Sequence, residues 1–171
     1  MEFANIHQRW MPGDAERGAQ LLDSLAGPQD RLWPNQSWPA IRFPQPLQVG
    51  TRGGHGPIRY RVEAYEPGRQ ISFRFLPETG FDGCHWFEVV PRDGGVLFRH
   101  GLQARSGFFG SLYWSLGIRF LHDALVEDAL DNAERALTGD VKRPARWSPW
   151  VKALRLGMRA LNRAPARATA V

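Results

Sequence analysis

Two histidines are the residues of this 171-residue chain that best suit chemistry on a bound molecule. His85 alternates with Phe87, and His100 lies likewise between Phe98 and Leu102. Because alternate residues of a β-strand share a face, we expect both imidazoles on one face of neighbouring strands. Imidazole titrates near neutral pH, so the pair suits general acid and base catalysis on a bound molecule. The alternative is that each is a buried core histidine or a cavity wall that hydrogen-bonds a ligand oxygen.

We expect no metal ion and no cofactor from the sequence. A metal centre would need a third ligand, and His55 or His122 would have to reach in to supply it. The single cysteine, Cys84, excludes an internal disulfide and a zinc site with four cysteine ligands. The glycine-rich run 50–56 lacks the lysine of a phosphate-binding loop, and we predict a turn there.

An aromatic sheet face accompanies the two histidines. Strand-like runs follow one another between turn residues, and their alternation places apolar side chains on one side. These rings either fill a solid core or line a ligand cavity. The residues predicted to line such a cavity are Tyr60, Val62, Phe73, Phe75, His85, Phe87, Phe98, His100 and Leu102.

An antiparallel sheet and a long helix must position this face. Strands are predicted at 3–10, 58–65, 70–76, 84–90 and 96–104, with a short helix after the first and a proline-rich surface segment at 33–46. From residue 109 to 138, apolar side chains recur at three- and four-residue steps opposite a polar stripe. This pattern predicts a helix whose apolar face packs on the aromatic sheet face.

Charge divides the chain into two parts. Residues 1–140 hold 14 arginines and 17 acidic residues, whereas residues 141–171 hold eight basic residues and no acidic one. We therefore predict a ligand-binding domain over residues 1–138 and a basic amphipathic extension over residues 139–171. With 43% hydrophobic and 23% charged residues and no visible secretory signal, we expect a cytoplasmic location, peripheral to a membrane only through the extension.

Tryptophan and aliphatic residues recur at helical spacing in the extension. A basic helix with such an apolar face suits an anionic membrane surface, and it suits equally docking on its own domain or on a protein partner. Nucleic acid is disfavoured, because the basic residues are few and the groups between them are aliphatic. The predicted contact residues are Trp147, Trp150, Lys152, Leu154, Arg155, Met158 and Arg159.

Two short segments resemble a known superfamily. The sequences Val49-Gly50-Thr51-Arg52-Gly53 and Tyr60-Arg61-Val62-Glu63-Ala64-Tyr65-Glu66-Pro67-Gly68-Arg69 are similar to those of SRPBCC (START-like, polyketide cyclase/dehydrase) proteins. The resemblance, over residues 1–138, implies an α+β helix-grip fold, in which a curved antiparallel sheet wraps around a long C-terminal helix and encloses a hydrophobic cavity.

The resemblance also implies a function. It implies binding or transport of a hydrophobic small molecule, either lipid-like or aromatic and polyketide-like. One alternative is a polyketide cyclase or dehydratase that uses His85 and His100. Another is a membrane- or protein-interaction module that acts through the basic extension.

Overall fold

One antiparallel sheet of seven strands dominates the computed structural model, which describes residues 1–163. The strands, adjacent in the order β1-β7-β6-β5-β4-β3-β2, are β1 (Glu2–Pro12), β2 (Ile41–Arg42), β3 (Arg52–His55), β4 (Ile58–Glu66), β5 (Gln70–Phe75), β6 (Asp82–Arg92) and β7 (Gly95–Arg105). The helices are α1 (Ala15–Asp23), α2 (Phe108–Tyr113), α3 (Arg119–Thr138) and α4 (Pro149–Arg163).

A long helix lies across the concave face of the sheet. A π-helical segment, Trp114–Ile118, joins α2 to α3, so the chain is continuously helical from Phe108 to Thr138. Gly139 ends it in the left-handed conformation, with φ of 85°, which glycine adopts without steric cost. The predicted strands, the long helix and the α+β helix-grip architecture are therefore confirmed.

Strand register determines which side chains meet on the concave face. His7 of β1 pairs with His100 of β7, and Phe87 of β6 pairs with His100 on its other side. His85 pairs with Leu102. Directly paired residues of an antiparallel sheet share a face, so these five side chains all point toward the long helix.

The glycine-rich run was predicted to be a turn, and this is wrong for residues 52–55. They form β3, which pairs with β2 on one side and β4 on the other. Glycine is required because β3 runs close to its neighbours: a Cβ atom on Gly53 would lie 2.5 Å from the ring of Phe43. The strand ends at His55, whose side chain reaches the concave side.

The proline-rich segment was predicted to wrap the surface, but it also contributes to the interior. Trp33 and Trp38 are buried, with 3% and 7% of their surface exposed. The Trp33 indole donates to the Pro39 carbonyl oxygen at 3.0 Å. The prolines break regular structure here, and the tryptophans tie the segment to the core.

The polar stripe of α3 is packed against β1. Arg9 donates to Asp131 at 2.7 Å, to Glu134 at 2.9 Å and to Glu127 at 2.9 Å. Asp131 and Glu134 are 8% and 6% exposed, so most of this ion-pair network lies away from water. Both faces of α3 therefore have partners: the apolar face contacts the core, and the acidic face contacts His7 and Arg9 of β1.

The first part of the predicted extension docks on the domain. The guanidinium carbon of Arg155 lies 4.1 Å from the ring centroid of Trp38 and 4.4 Å from that of Trp147. Both indole nitrogens donate to one carboxylate oxygen of Asp128, at 2.7 and 2.9 Å. Val151 is 4% exposed. Residues 164–171 of the predicted extension lie outside the described residues.

Candidate functional site

A largely apolar cavity of about 320 Å³ lies between the concave face of the sheet and the long helix. Rings of Phe81 and Trp114 and the side chain of Leu121 form much of its wall, and Met158 of α4 reaches it from outside the domain. Met158 is 37% exposed, which places it near the rim. The volume lies at the lower end of the range for small-molecule sites.

The predicted cavity residues divide into two groups. Those on the cavity wall are Phe75, His85, His100 and Leu102. Those buried behind the wall, with at most 1% of their surface exposed, are Tyr60, Val62, Phe73, Phe87 and Phe98. The second group packs with the leucines of α1 and α3 in the main core, so it does not line the cavity. Strand alternation identified the correct face, but the helices cover part of that face.

Four histidines lie on the cavity wall: His55, His85, His100 and His122. The ring centroids of His85 and His100 are 5.6 Å apart, and those of His100 and His122 are 5.0 Å apart. Within the described residues, His85 Nε2, His100 Nδ1 and both ring nitrogens of His122 have no hydrogen-bond partner. A buried polar group without a partner costs about 1–3 kcal/mol, so these nitrogens favour a polar group or a water molecule in the cavity.

Burial keeps the cavity histidines neutral. It lowers the pKa of His85 and of His100 well below the usual value, and neighbouring imidazoles act in the same direction. Burial likewise lowers the pKa of His55 to about 3. A neutral imidazole accepts and donates hydrogen bonds, but a lowered pKa makes it a weak base and leaves little of the protonated form that acts as an acid. Burial therefore favours a hydrogen-bonding role for His85 and His100 and does not support the predicted acid.

A second polar cluster lies beside the cavity, on β1 and α3. His7 Nδ1 is 2.7 Å from Glu127 Oε1, and His7 Nε2 is 3.1 Å from Asp123 Oδ1. Hydrogen bonds to Asp123 and then to Glu127 raise the pKa of His7 to about 9. The ring of His7 is 6.2 Å from that of His122, centroid to centroid, so the charged cluster adjoins the neutral one.

The sequence suggested His55 and His122 only as the third ligand of a metal centre, and it gave no prediction for His7. A sequence signal existed for His122, since it lies four residues after Ile118 and three before Leu125, on the apolar face of the helix. His55 had no such signal, because its strand was hidden in the glycine-rich run. Only strand pairing brings His7 beside β7.

The predicted contact residues of the extension differ in their surroundings. Trp147 is partly buried against the core, Leu154 is half-buried, and Arg155 is stacked between two indoles rather than exposed. Lys152 and Arg159 are exposed. Trp150 is 50% exposed, and its indole donates to the Leu116 carbonyl oxygen at 3.0 Å.

Trp150 adjoins an exposed apolar patch on α2 and the π-helical segment. We define this apolar patch as Phe108, Phe109, Leu112, Tyr113 and Leu116, each between 44% and 72% exposed. Single exposed apolar residues are common on proteins, but a continuous group of this kind indicates a contact surface. In the described part of the chain, no helix is both long and apolar enough to span a membrane.

A larger groove, of about 1120 Å³, opens to solvent on the far side of α3. Its walls include Asp131, Arg135 and Lys152, and Asp131 is already bound to Arg9. Polar walls in open contact with water do not favour an apolar ligand, so the smaller cavity is the candidate site.

No family model matches the sequence, and no curated protein matches it. Several solved structures match the fold. CalU16 from Micromonospora echinospora aligns with a TM-score of 0.52 at 15% identity, over 91% of this chain and 82% of that chain. A protein from Thermobifida fusca aligns with a TM-score of 0.58 at 16% identity, over 85% of this chain and 99% of that one.

Truncated norcoclaurine synthase from Thalictrum flavum aligns with a TM-score of 0.61 at 12% identity, over 81% of this chain and 95% of that chain. Identities this low show a shared fold and carry no information on shared chemistry. CalU16 and norcoclaurine synthase are both Bet v1/SRPBCC-like helix-grip proteins. The fold that the sequence resemblance implied is therefore confirmed: this chain has a helix-grip fold.

Proposed function

We propose that the protein binds an uncharged, mainly apolar small molecule in the cavity between its sheet and its long helix. The observation that carries this proposal is an apolar cavity of about 320 Å³ whose wall presents buried imidazole nitrogens without partners in the described chain. SRPBCC proteins bind hydrophobic ligands or act as cyclases, which agrees with such a site.

The cavity wall favours a particular ligand chemistry. Phe75, Phe81 and Trp114 offer aromatic faces to a planar ring. His85 and His100 offer neutral nitrogens to a hydroxyl or carbonyl group of that ring. A charged ligand would lose its hydration without an opposite charge in return. The small volume favours a compact aromatic or polyketide-like molecule over a two-chain lipid.

Native mass spectrometry of the full chain, purified from its own host, tests the proposal directly. We expect a co-purified small molecule in stoichiometric amount. In a second experiment, 2-naphthol should bind more tightly than naphthalene, and His85→Phe should reduce this difference, whereas Cys84→Ala on the same strand should leave it unchanged. Absence of both a co-purified molecule and saturable naphthol binding would contradict the proposal.

The same histidines support a second candidate function, in which a neutral imidazole removes a proton from a bound carbonyl compound. The supporting observation is that His85 and His100 are neutral, adjacent and free to accept. Replacing the base by Gln should lower turnover of the cavity ligand by roughly 100-fold or more while its affinity changes little. Equal losses of affinity and turnover would assign both histidines to binding alone.

We also propose that the protein contacts an anionic membrane surface beside the cavity. The apolar patch, with Trp150, would enter the lipid interface, and exposed Lys152 and Arg159 would face the lipid headgroups. Met158 connects this side of α4 to the cavity rim. A ligand could then pass between the membrane and the cavity without crossing water.

A further inference from the structure

Three side chains that could bind a metal ion meet where β1 crosses α3. One ligand atom from each of His7, His122 and Asp123 lies within 4.8 Å of the other two. We propose that these three residues bind a divalent transition-metal ion, with zinc the best match. The site was not expected from the sequence, where His122 was considered only together with His85 and His100.

The spacing of the ligand atoms suits zinc. His7 Nε2 lies 3.1 Å from Asp123 Oδ1, and His122 Nδ1 lies 3.9 Å from the same oxygen. Tetrahedral zinc with bonds of about 2.0–2.1 Å separates its ligand atoms by about 3.3 Å. Small side-chain rotations therefore convert the present arrangement into a coordination sphere.

The surroundings of His122 independently support a bound metal ion. Neither ring nitrogen has a hydrogen-bond partner among the described residues, although the side chain is only 16% exposed. His7, by contrast, has both nitrogens occupied. A nearly buried imidazole with two free nitrogens is costly unless something binds it, and a metal ion satisfies one nitrogen outright.

The surroundings of His7 resemble those of a metal ligand. Glu127 Oε1 lies 2.7 Å from Nδ1, and Glu127 is itself fixed by Arg9, which donates to its other oxygen at 2.9 Å. A carboxylate that accepts from one ring nitrogen orients the other toward the metal. Asn5 donates to Asp123 at 2.8 Å and orients that carboxylate in the same way.

The donor set also points to the metal and to its role. Two imidazoles and one carboxylate suit zinc, and three protein ligands leave a fourth position open. His122 lies on the ligand cavity as well, so a water molecule or a polar group of the cavity ligand can take that position. Zinc binding at this site can be measured in the absence of the proposed cavity ligand.

The test uses the full chain after treatment with EDTA. Calorimetric titration with Zn²⁺ should give one site, and Co²⁺ should give the visible absorption of a low-symmetry complex. His122→Ala and Asp123→Asn should each weaken Zn²⁺ binding by more than about 100-fold, and Glu127→Gln should weaken it by about 10- to 100-fold. His55→Gln, on the opposite wall of the cavity, is the matched control and should leave the affinity unchanged.

The proposal is overturned if the protein takes up no Zn²⁺ in a saturable one-to-one manner, or if His55→Gln weakens binding as much as His122→Ala. Circular dichroism verifies that each variant is folded. If His122→Ala fails to fold, the result rests on Asp123→Asn and Glu127→Gln, which keep side-chain size. Unchanged Zn²⁺ affinity in both of those variants would likewise overturn it.

Discussion

Phe73 and Phe75 lie two residues apart on β5 and point to the same side of the sheet, but they have different surroundings. Phe73 is fully buried in the core, whereas Phe75 is part of the cavity wall. Two phenylalanines on one strand thus differ: one fills the core and the other lines the cavity.

We expect Phe73→Ala to lower the free energy of unfolding by about 3–5 kcal/mol, because it leaves a cavity in a packed core. Phe75→Ala should cost less stability and should weaken binding of 2-naphthol, because its ring already faces a space. Urea unfolding and naphthol titration of both variants measure the two effects. Equal stability losses with unchanged naphthol binding would contradict this division.

His7 predicts a dependence of stability on alkaline pH. Its pKa is about 6.5 in the unfolded chain and about 9 in the folded one. Its contribution is complete below pH 6.5 and is lost as the pH rises through 9. Hydrogen bonds from His7 hold the pKa of Glu127 below its usual value, so this partner stays ionised across that range.

We therefore expect the unfolding free energy of metal-free protein to fall between pH 6.5 and pH 9.5, and His7→Gln to flatten this decline. Urea unfolding at the two pH values, in the presence of EDTA, is the measurement. Because the carboxylate partners Asp123 and Glu127 are 32% and 38% exposed, solvent screening will reduce the effect. A decline of the same size in His7→Gln would show that other groups cause it.

At the level of elements, the π-helical segment and α4 determine how the cavity is enclosed. A π turn changes the helical repeat and so shifts which side chains face inward. In this turn Trp114 is 6% exposed and lines the cavity, whereas Leu116 is 59% exposed. The same few residues therefore supply both a cavity wall and part of the apolar patch.

Arg155 attaches α4 to the domain through its contacts with Trp38 and Trp147. We expect Arg155→Ala to increase amide hydrogen exchange in α4 and to speed dissociation of a cavity ligand, at a cost of about 1–2 kcal/mol for two cation–π contacts. Arg159→Ala removes an exposed arginine from the same helix and is the control. Equal exchange in the two variants would argue against this attachment.

At the level of the whole molecule, α4 carries the exposed basic residues Lys152 and Arg159 as well as Trp150, which adjoins the apolar patch. Full-length protein should sediment with anionic vesicles at low salt. Lys152→Glu with Arg159→Glu should abolish sedimentation, since each basic residue near such a surface contributes about 1 kcal/mol. Added salt should weaken binding of the parent protein through screening.

Phe109→Ser with Leu112→Ser should weaken vesicle binding at every salt concentration, because it removes apolar area rather than charge. Truncation after Gly139 is a less suitable test, since α4 buries Val151 in the core and its removal is expected to destabilise the domain. Sedimentation that is the same with anionic and with neutral vesicles would contradict the membrane proposal.

The sequence by itself determined the elements and the face of the sheet that carries the histidines. Alternation in β6 and β7 and helical spacing from residue 109 to 138 are local patterns, so they predicted strands, helix and the placement of His85 and His100 without knowledge of the fold. The resemblance to SRPBCC proteins then predicted how these elements pack.

Only the tertiary structure decided which residues meet. Because β1 pairs with β7, His7 lies beside α3 and contacts Asp123, which is 116 positions away in the sequence. No local sequence pattern predicts a contact over that separation. β3 was hidden because its glycines, which permit close strand approach, look like a turn. Arg155 was predicted to contact a membrane or a partner, because helical spacing cannot reveal that it stacks on two indoles from elsewhere in the chain. Sequence periodicity determines which face of a strand or helix a side chain occupies, whereas tertiary packing determines which residues that side chain contacts.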